Sequence, residues 1–366
     1  MRIFVIVGTR PEAIKMLPLV RELRKHKELQ TKICFTRQHS RMAEEVFDEF
    51  GIPYDFSFSE MKKGRNLSEM TLYLLKNFDM IFEKEKPDLV LVHGDTTSAF
   101  CGALAAFYRG ILVAHIEAGL RSFNNLLPYP EEFNRVSIDA LSSLHFAPTK
   151  IAADNLKKEG KTSVFTVGNT VIDAIRYSLE DKDDISLFEG FGDKKLLLIT
   201  AHRRENLGDK MRSSMQGISD ILRVRNDLFA ILPLHPNPAV REIALESFKN
   251  IKNIKICDPL PMRLFHSFLS ASFAVFTDSG GIQEEAAYLG IPLFLLRENT
   301  ERPECIELGN TLLVGSDREK IKKEFFAFLN DEKLQKKMRK RSFAFGDGHA
   351  SEKIVRELLN CIAKLK

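Results

Sequence analysis

The stretch Phe273–Glu285, FAVFTDSGGIQEE, decides the fold class. An apolar, β-favouring run ends in Asp278, Ser279-Gly280-Gly281 follows, and a helical pattern begins at Ile282. A strand, a small-residue turn and a helix start in that order make an anion site, because the first N–H groups of a helix lack partners within it and point outward. The two glycines have no Cβ, so a diphosphate can approach their backbone. The first strand pattern ends in a similar way, IFVIV from Ile3 and then Gly8-Thr9-Arg10-Pro11-Glu12. Either turn alone also suits a tight turn without a ligand. Two of them, one near each end of the chain, suggest a nucleotide-linked substrate held between two halves.

Outward from that stretch, short apolar runs alternate with longer amphipathic ones. The first half holds IFVIV, KICFT from Lys32, DLVLVH from Asp88, ILVAHIE from Ile111, LHFAP from Leu144 and VFTV from Val164. The second holds LLLIT from Leu196, FAILPLH from Phe229, IKIC from Ile254, FAVFT, PLFLL from Pro292 and TLLVG from Thr311. Continuous rather than alternating apolar runs suit strands buried on both faces. Helical patterns between them imply βαβ units and parallel sheets. A charged, weakly patterned stretch, LEDKDDISLFEGFGDKK from Leu179 to Lys195, separates the halves after a helix start at Asn169-Thr170-Val171-Ile172-Asp173. The expected fold is α/β, two Rossmann-like parallel-sheet domains facing across a cleft. Residues 1–168 form the first domain and residues 169–350 the second. A closing helix over 351–366 can pack on either half.

The chain has 366 residues, 44% of them hydrophobic and 28% charged, which suits a soluble protein with a large core. A net charge of +4, with its cations spread along the chain, does not point to nucleic acid. The Lys-rich run from Lys333 to Arg341 reads as a solvated helix face. Cys34, Cys101, Cys257, Cys305 and Cys361 lie far apart, without metal or redox spacing, and read as free thiols in a reducing compartment. No signal peptide or membrane span is visible, so a cytoplasmic protein is expected. No dinucleotide-binding GxGxxG, no GxxxxGK[ST] and no GxSxG occurs, and neither a nicotinamide, ATP nor a metal cofactor is supported.

Polar residues collect where the strand patterns end: Asp95, Glu117, His202, His235 and Asp278. Ligands of parallel α/β sheets bind beyond the carboxyl ends of the strands. One such residue alone is as well explained by a helix cap. Five in register point toward one crevice. Pro128–Arg135, PYPEEFNR, reads as a helix start with Pro130 in its first turn. Glu131 and Arg135 are four apart, share a face and can pair. Lys15 lies two turns into the first helix pattern, near Arg10, and both suit a phosphate or carboxylate. His202-Arg203-Arg204 adds a histidine and two cations, and Arg297 and Arg302 follow another strand. These residues imply nucleotide-sugar chemistry, with glycosyl transfer and epimerisation both open.

The set GTRPEAIKM (from Gly8), VHGDTTSA (from Val92), HIEAGLRS (from His115), PYPEEFNR (from Pro128), VGNTVIDA (from Val167), TAHRREN (from Thr200), DSGGIQEEA (from Asp278) and RENTERPE (from Arg297) resembles the non-hydrolysing UDP-N-acetylglucosamine 2-epimerases, in order over nearly the whole chain. The resemblance implies a glycosyltransferase B, glycogen-phosphorylase-like fold, a homodimer, and no metal or nicotinamide. It implies interconversion of UDP-GlcNAc and UDP-ManNAc by elimination of UDP to 2-acetamidoglucal and re-addition, supplying ManNAc units for surface polysaccharide. Asp95, Glu117 and Glu131 match the catalytic carboxylates, Lys15 and Arg135 match positions that support them, and His202 matches a histidine near the diphosphate. Arg10, Ser279, Gly280, Gly281 and Arg302 would stabilise departing UDP. Glu285 matches a ribose-binding carboxylate, and His235 a position lining the nucleotide cleft.

Bacterial members also bind a second UDP-GlcNAc as an activator. Gln38 fits the glutamine used there, whereas Arg41 and the loop at Gly64-Arg65 depart from many members. Four other readings share the motifs: a hydrolysing 2-epimerase releasing ManNAc and UDP, a 2-epimerase acting on another UDP-2-acetamido sugar, a glycosyltransferase of the same fold, and an inactive nucleotide-sugar sensor. Pro11 and the intact PEEFNR segment favour the non-hydrolysing branch by likeness.

Overall fold

The computed structural model describes residues 1–366 except 39, 60–65, 181–184, 186–191, 202, 204, 205, 236, 301 and 366, and the side chains at 40–42 and 362–365 are also outside the description. The chain forms two compact units, Met1–Tyr177 with Phe345–Lys366, and Ser178–Ala344.

Among the described residues the first unit has a seven-stranded parallel sheet: β1 (Arg2–Val7), β2 (Gln30–Phe35), β3 (Phe56–Ser57), β4 (Leu89–His93), β5 (Leu112–Ile116), β6 (Leu144–Ala147) and β7 (Val164–Thr166). Its order is β3-β2-β1-β4-β5-β6-β7, with every pair parallel. The helices between them are α1 (Arg10–Leu23), α2 (Ser40–Phe50), α3 (Leu67–Glu85), α4 (Thr97–Tyr108), α5 (Glu131–Leu141), α6 (Lys150–Lys158) and α7 (Thr170–Glu180). The six strands expected for this half form. The added β3 is only two residues long, too short to leave an apolar run in the sequence.

Among the described residues the second unit has a six-stranded sheet: β8 (Lys195–Thr200), β9 (Leu228–Pro233), β10 (Ile254–Cys257), β11 (Ala274–Thr277), β12 (Leu293–Leu295) and β13 (Thr311–Leu313). The order is β10-β9-β8-β11-β12-β13, again all parallel. Its helices are α8 (Asp209–Val224), α9 (Pro238–Ser247), α10 (Met262–Ala271), α11 (Gly280–Leu289), α12 (Pro303–Glu307), α13 (Arg318–Asn330) and α14 (Glu332–Met338). Alternate β8 residues serve opposite cores. Leu197 and Ile199 join Phe276, Phe294, Phe325 and Phe328 on one face, and Leu196 and Leu198 join Phe268, Val275 and Leu293 on the other. A strand covered on both faces needs apolar side chains at every position, hence the continuous runs. Each fully buried Phe contributes about 1.5–3 kcal/mol of burial energy.

The last helix, α15 (Ala350–Leu365), belongs to the first unit and packs on α1. Asp173 caps it from α7, accepting the Ala350 and Ser351 N–H groups at 3.1 and 2.7 Å. Just before it, the Asn169 N–H donates to the Phe345 carbonyl at 2.6 Å, where Gly168 and Gly346 meet backbone to backbone. Among the described residues, no helix is long and apolar enough to cross a membrane.

Candidate active site

In the first sheet the strand order reverses between β1 and β4, and in the second between β8 and β11. Such switch points open a crevice at the carboxyl ends of the strands. The motif residues sit there: Gly8 to Arg10 after β1, Asp95 after β4, and Asp278 to Gly281 after β11.

Glu117 follows β5 with φ of 64°, in the left-handed region. For a side chain other than glycine this costs on the order of 1–3 kcal/mol and needs support from its surroundings. The support converges on Oε2, which accepts hydrogen bonds from Lys15 Nζ and, at 2.7 Å, from Asn169 Nδ2. His93 Nε2 lies 3.7 Å from the same oxygen. Burial pushes the His93 imidazole down to about 3, so this ring is neutral beside the carboxylate. Asp95 is held by α5: Arg135 Nη2 donates to its Oδ2 at 2.5 Å, and Asn134 Nδ2 to its backbone carbonyl at 2.8 Å. Arg135 Nη1 also lies 3.4 Å from Glu132 Oε2, and Glu132 Oε1 accepts the Ser122 and Phe123 N–H groups at 2.8 and 3.1 Å. Glu131 opens the same helix, half-buried, and its Oε2 has no hydrogen-bond partner among the described residues.

The turn after β1 differs from its expectation as an open anion site. The Gly8 N–H donates inward to Glu12 Oε2 at 3.1 Å, and Thr96 Oγ1 donates to Glu12 Oε1 at 2.9 Å. A Cβ on Gly8 would collide with Ser98 and lie 2.7 Å from Thr36 Oγ1, so close packing requires the glycine. Burial outweighs the hydrogen bonds to Glu12 and pushes its carboxyl up to about 7. Glu12 therefore ties the β1 turn to Thr96, the neighbour of Asp95. Of the two partners open to Lys15, a phosphate or a carboxylate, it takes the carboxylate of Glu117, while Arg10 opens α1, half-buried.

In the second unit Ser279 is the N-cap of α11 without a side-chain cap, leaving the first-turn N–H groups to other partners. A Cβ on Gly281 would enter open space, with its nearest neighbour Glu285 Oε1 at 4.0 Å. Asp278 is fully buried and accepts the Arg203 N–H at 2.9 Å, which ties the β8 and β11 ends together. Arg302 Nε donates to Glu284 Oε1 at 2.5 Å, and Glu285 Oε2 lies 3.9 Å from His266 Nε2. His235 is exposed and its Nδ1 accepts the Asn237 N–H at 3.2 Å.

A sequence model of the UDP-N-acetylglucosamine 2-epimerase family matches residues 21–359. The chain belongs to this family. It is 45% identical to the UDP-N-acetylglucosamine 2-epimerase of Bacillus subtilis, over 98% of this chain and 95% of that protein. The crystal structure of UDP-GlcNAc 2-epimerase from Neisseria meningitidis bound to UDP-GlcNAc superposes with a TM-score of 0.93 at 39% identity, covering 98% of this chain and 100% of the other. Acinetobacter baumannii MurG, 13% identical with a TM-score of 0.63 over 98% of this chain and 100% of its own, shares the fold alone, which is of the glycosyltransferase B type.

Within the family frame, two groups of candidate residues gather in the first unit: Lys15 with Glu117, and Asp95 with Arg135. The expected Glu131–Arg135 pair does not form, because Arg135 turns to Asp95 and Glu132. Sequence reading passed over His93, Asn169, Glu12 and His266. His93 ends an apolar strand run, so its position in VHGD does not mark it as a site residue. Gln38 accepts a hydrogen bond from Ser98 Oγ at 2.8 Å. His202, Gly64 and Arg65 and the Arg41 side chain lie outside the described residues.

Proposed function

We propose that this chain interconverts UDP-GlcNAc and UDP-ManNAc without hydrolysis. A carboxylate takes the C2 proton, the C2–H electron pair becomes the C1–C2 double bond, and the C1–O bond breaks to release UDP. Re-addition of UDP to C1 and of a proton to the opposite face of C2 closes the cycle, and no water is consumed. The observation that carries this reading is the pairing of two strand-end carboxylates with separate cations, Glu117 with Lys15 and Asp95 with Arg135. Elimination and return need acid and base groups held around one ring, and positioned groups of this kind contribute roughly 10²–10⁴-fold each. Asp95, Glu117 and Glu131 form that set, with Lys15, Arg135 and His202 in support. Arg10, Ser279, Gly280, Gly281, Arg302, Glu285 and His235 hold UDP, whose developing charge suits the N-terminus of α11.

The proposed setting is the cytoplasm, on the five free thiols, and the product a ManNAc unit for surface polysaccharide. The proposed assembly is a homodimer, on the resemblance and on Leu72, Met80, Phe107 and Tyr108, large apolar side chains left exposed on α3 and α4. Proton NMR of the purified protein with UDP-GlcNAc in D2O, without added cofactor, tests the reaction. The expected result is a growing UDP-ManNAc anomeric signal with deuterium at C2. Free ManNAc with stoichiometric UDP would move the chain to the hydrolysing branch, and no change would overturn the reading.

A further inference from the structure

His115, the fourth residue of β5, is fully buried and has an acceptor on each ring nitrogen. Its Nδ1 lies 2.6 Å from Asp139 Oδ1, and its Nε2 lies 2.7 Å from the Gly94 carbonyl. A carbonyl oxygen only accepts, so Nε2 must carry a proton. Asp139 Oδ2 accepts from Arg121 Nη2 at 2.7 Å and from the Gly119 N–H at 3.3 Å, so this group is an acceptor too. With carboxylate at Asp139, Nδ1 must also carry a proton, and the ring is an imidazolium. Arg121 also pairs with the exposed Glu159, so the buried Asp139 shares this cation with a solvent-facing carboxylate and takes its second positive partner from the ring. The two neighbouring imidazoles, His93 and His145, are both pushed down by burial and add no charge.

The partners of this pair are what give it a role. Gly94 directly precedes Asp95, and Gly119 lies two residues after Glu117. Through Gly94 and Gly119 the pair grips both loops that carry the candidate carboxylates. We propose that His115, held as a buried imidazolium by Asp139, is a positioning residue that fixes the spacing of Asp95 and Glu117 on the sugar ring. The proposal rests on the epimerase reading above, in which those two carboxylates act on C1 and C2. His115 and Asp139 do not touch substrate. They set where the acid and base groups stand, and a displacement of about 1 Å at such groups costs about a hundredfold in rate.

Two measurements test it. In wild-type protein with ring-¹⁵N histidine, His115 is identified by through-space contacts to the Gly94 backbone and the Asp139 side chain, and both ring nitrogens are expected to carry protons at neutral pH. A singly protonated ring there overturns the proposal, whether or not any variant folds. In Asp139→Asn and His115→Gln, kcat is expected to fall about a hundredfold while UDP affinity stays within about twofold of wild type. A folded Asp139→Asn with wild-type kcat overturns it. Equal losses in kcat and UDP affinity would mark general disruption and also count against it. If wild type itself does not epimerise, the functional reading fails, while the ring-nitrogen spectrum still decides the charge state on its own.

Discussion

At the scale of single residues, Glu12 shows what burial does to a motif position. Folded Glu12 keeps its proton up to about pH 7, whereas an ordinary glutamate loses it near 4.5. Between those values the folded state binds more protons, so rising pH removes stability through this residue. The loss amounts to about 3 kcal/mol across the window, from 1.36 kcal/mol per unit. His93 acts in the opposite sense. Its folded ring stays neutral down to about 3 while an unfolded one titrates near 6.5, so stability rises with pH between them. The whole-protein curve mixes both, and the difference between wild type and Glu12→Gln isolates the first. Glutamine keeps an acceptor for the Gly8 N–H, and its amide can donate to the Thr96 hydroxyl. In urea titrations the variant is expected to gain about 2–3 kcal/mol on wild type between about pH 5 and about pH 8. A difference that stays flat with pH would remove the protonated carboxyl. The motifs made Asp95, Glu117 and Lys15 legible in the sequence, but not their partners. Helical spacing reports only which residues share a face, so it offered Glu131 to Arg135, while the partner that won, Asp95, arrives from a strand end 40 residues away.

At the scale of elements, strands were legible because parallel strands buried on both faces are apolar throughout, and β3 escaped because two residues carry no period. The N-terminus of α11 lies at Gly280 rather than Ile282, since glycine hides a helix start from propensity. The docking of α15 was not legible, because its apolar stripe of Ile354, Val355 and Leu358 does not say which half it faces, and a cap and a backbone contact from the first unit fix that. Gly346 has φ of 115°, and a Cβ there would lie 3.0 Å from Gly168 Cα and 3.4 Å from the Asn169 nitrogen. Both partners are backbone and cannot rotate away. Gly346→Ala is therefore expected to cost roughly 2–4 kcal/mol, from strained φ and forced separation together. The strain reaches Asn169, whose side chain holds Glu117, so kcat should fall as well. Amide exchange over α15 reads the first effect, with Ala350 to Leu365 losing protection in the variant. Wild-type exchange and wild-type turnover together would show that this contact holds neither the helix nor the site.

At the scale of the whole molecule, each unit has its own sheet, its own cores and its own switch point. Units with separate cores unfold as separate cooperative bodies unless something couples them, so a ligand that binds one stabilises that one first. This gives the division of labour in the proposed function a direct test. The paired carboxylates, Asp95 and Glu117, lie in the first unit, and the turn proposed to hold the diphosphate, Ser279 to Gly281, lies in the second. UDP alone lacks the N-acetylhexosamine ring on which the carboxylates would act, so most of its binding energy should be felt where the diphosphate sits. At a UDP concentration of 100 times Kd, linkage adds about 2.7 kcal/mol to whatever opens the site. Hydrogen exchange with and without UDP is expected to place that gain on β11, α11 and the neighbouring strands of Ser178–Ala344. Arg10 predicts a smaller gain at the start of α1. Protection confined to Met1–Tyr177 would mean that the first unit holds the nucleotide, and the roles given to Ser279, Gly280, Gly281 and Glu285 would have to be withdrawn.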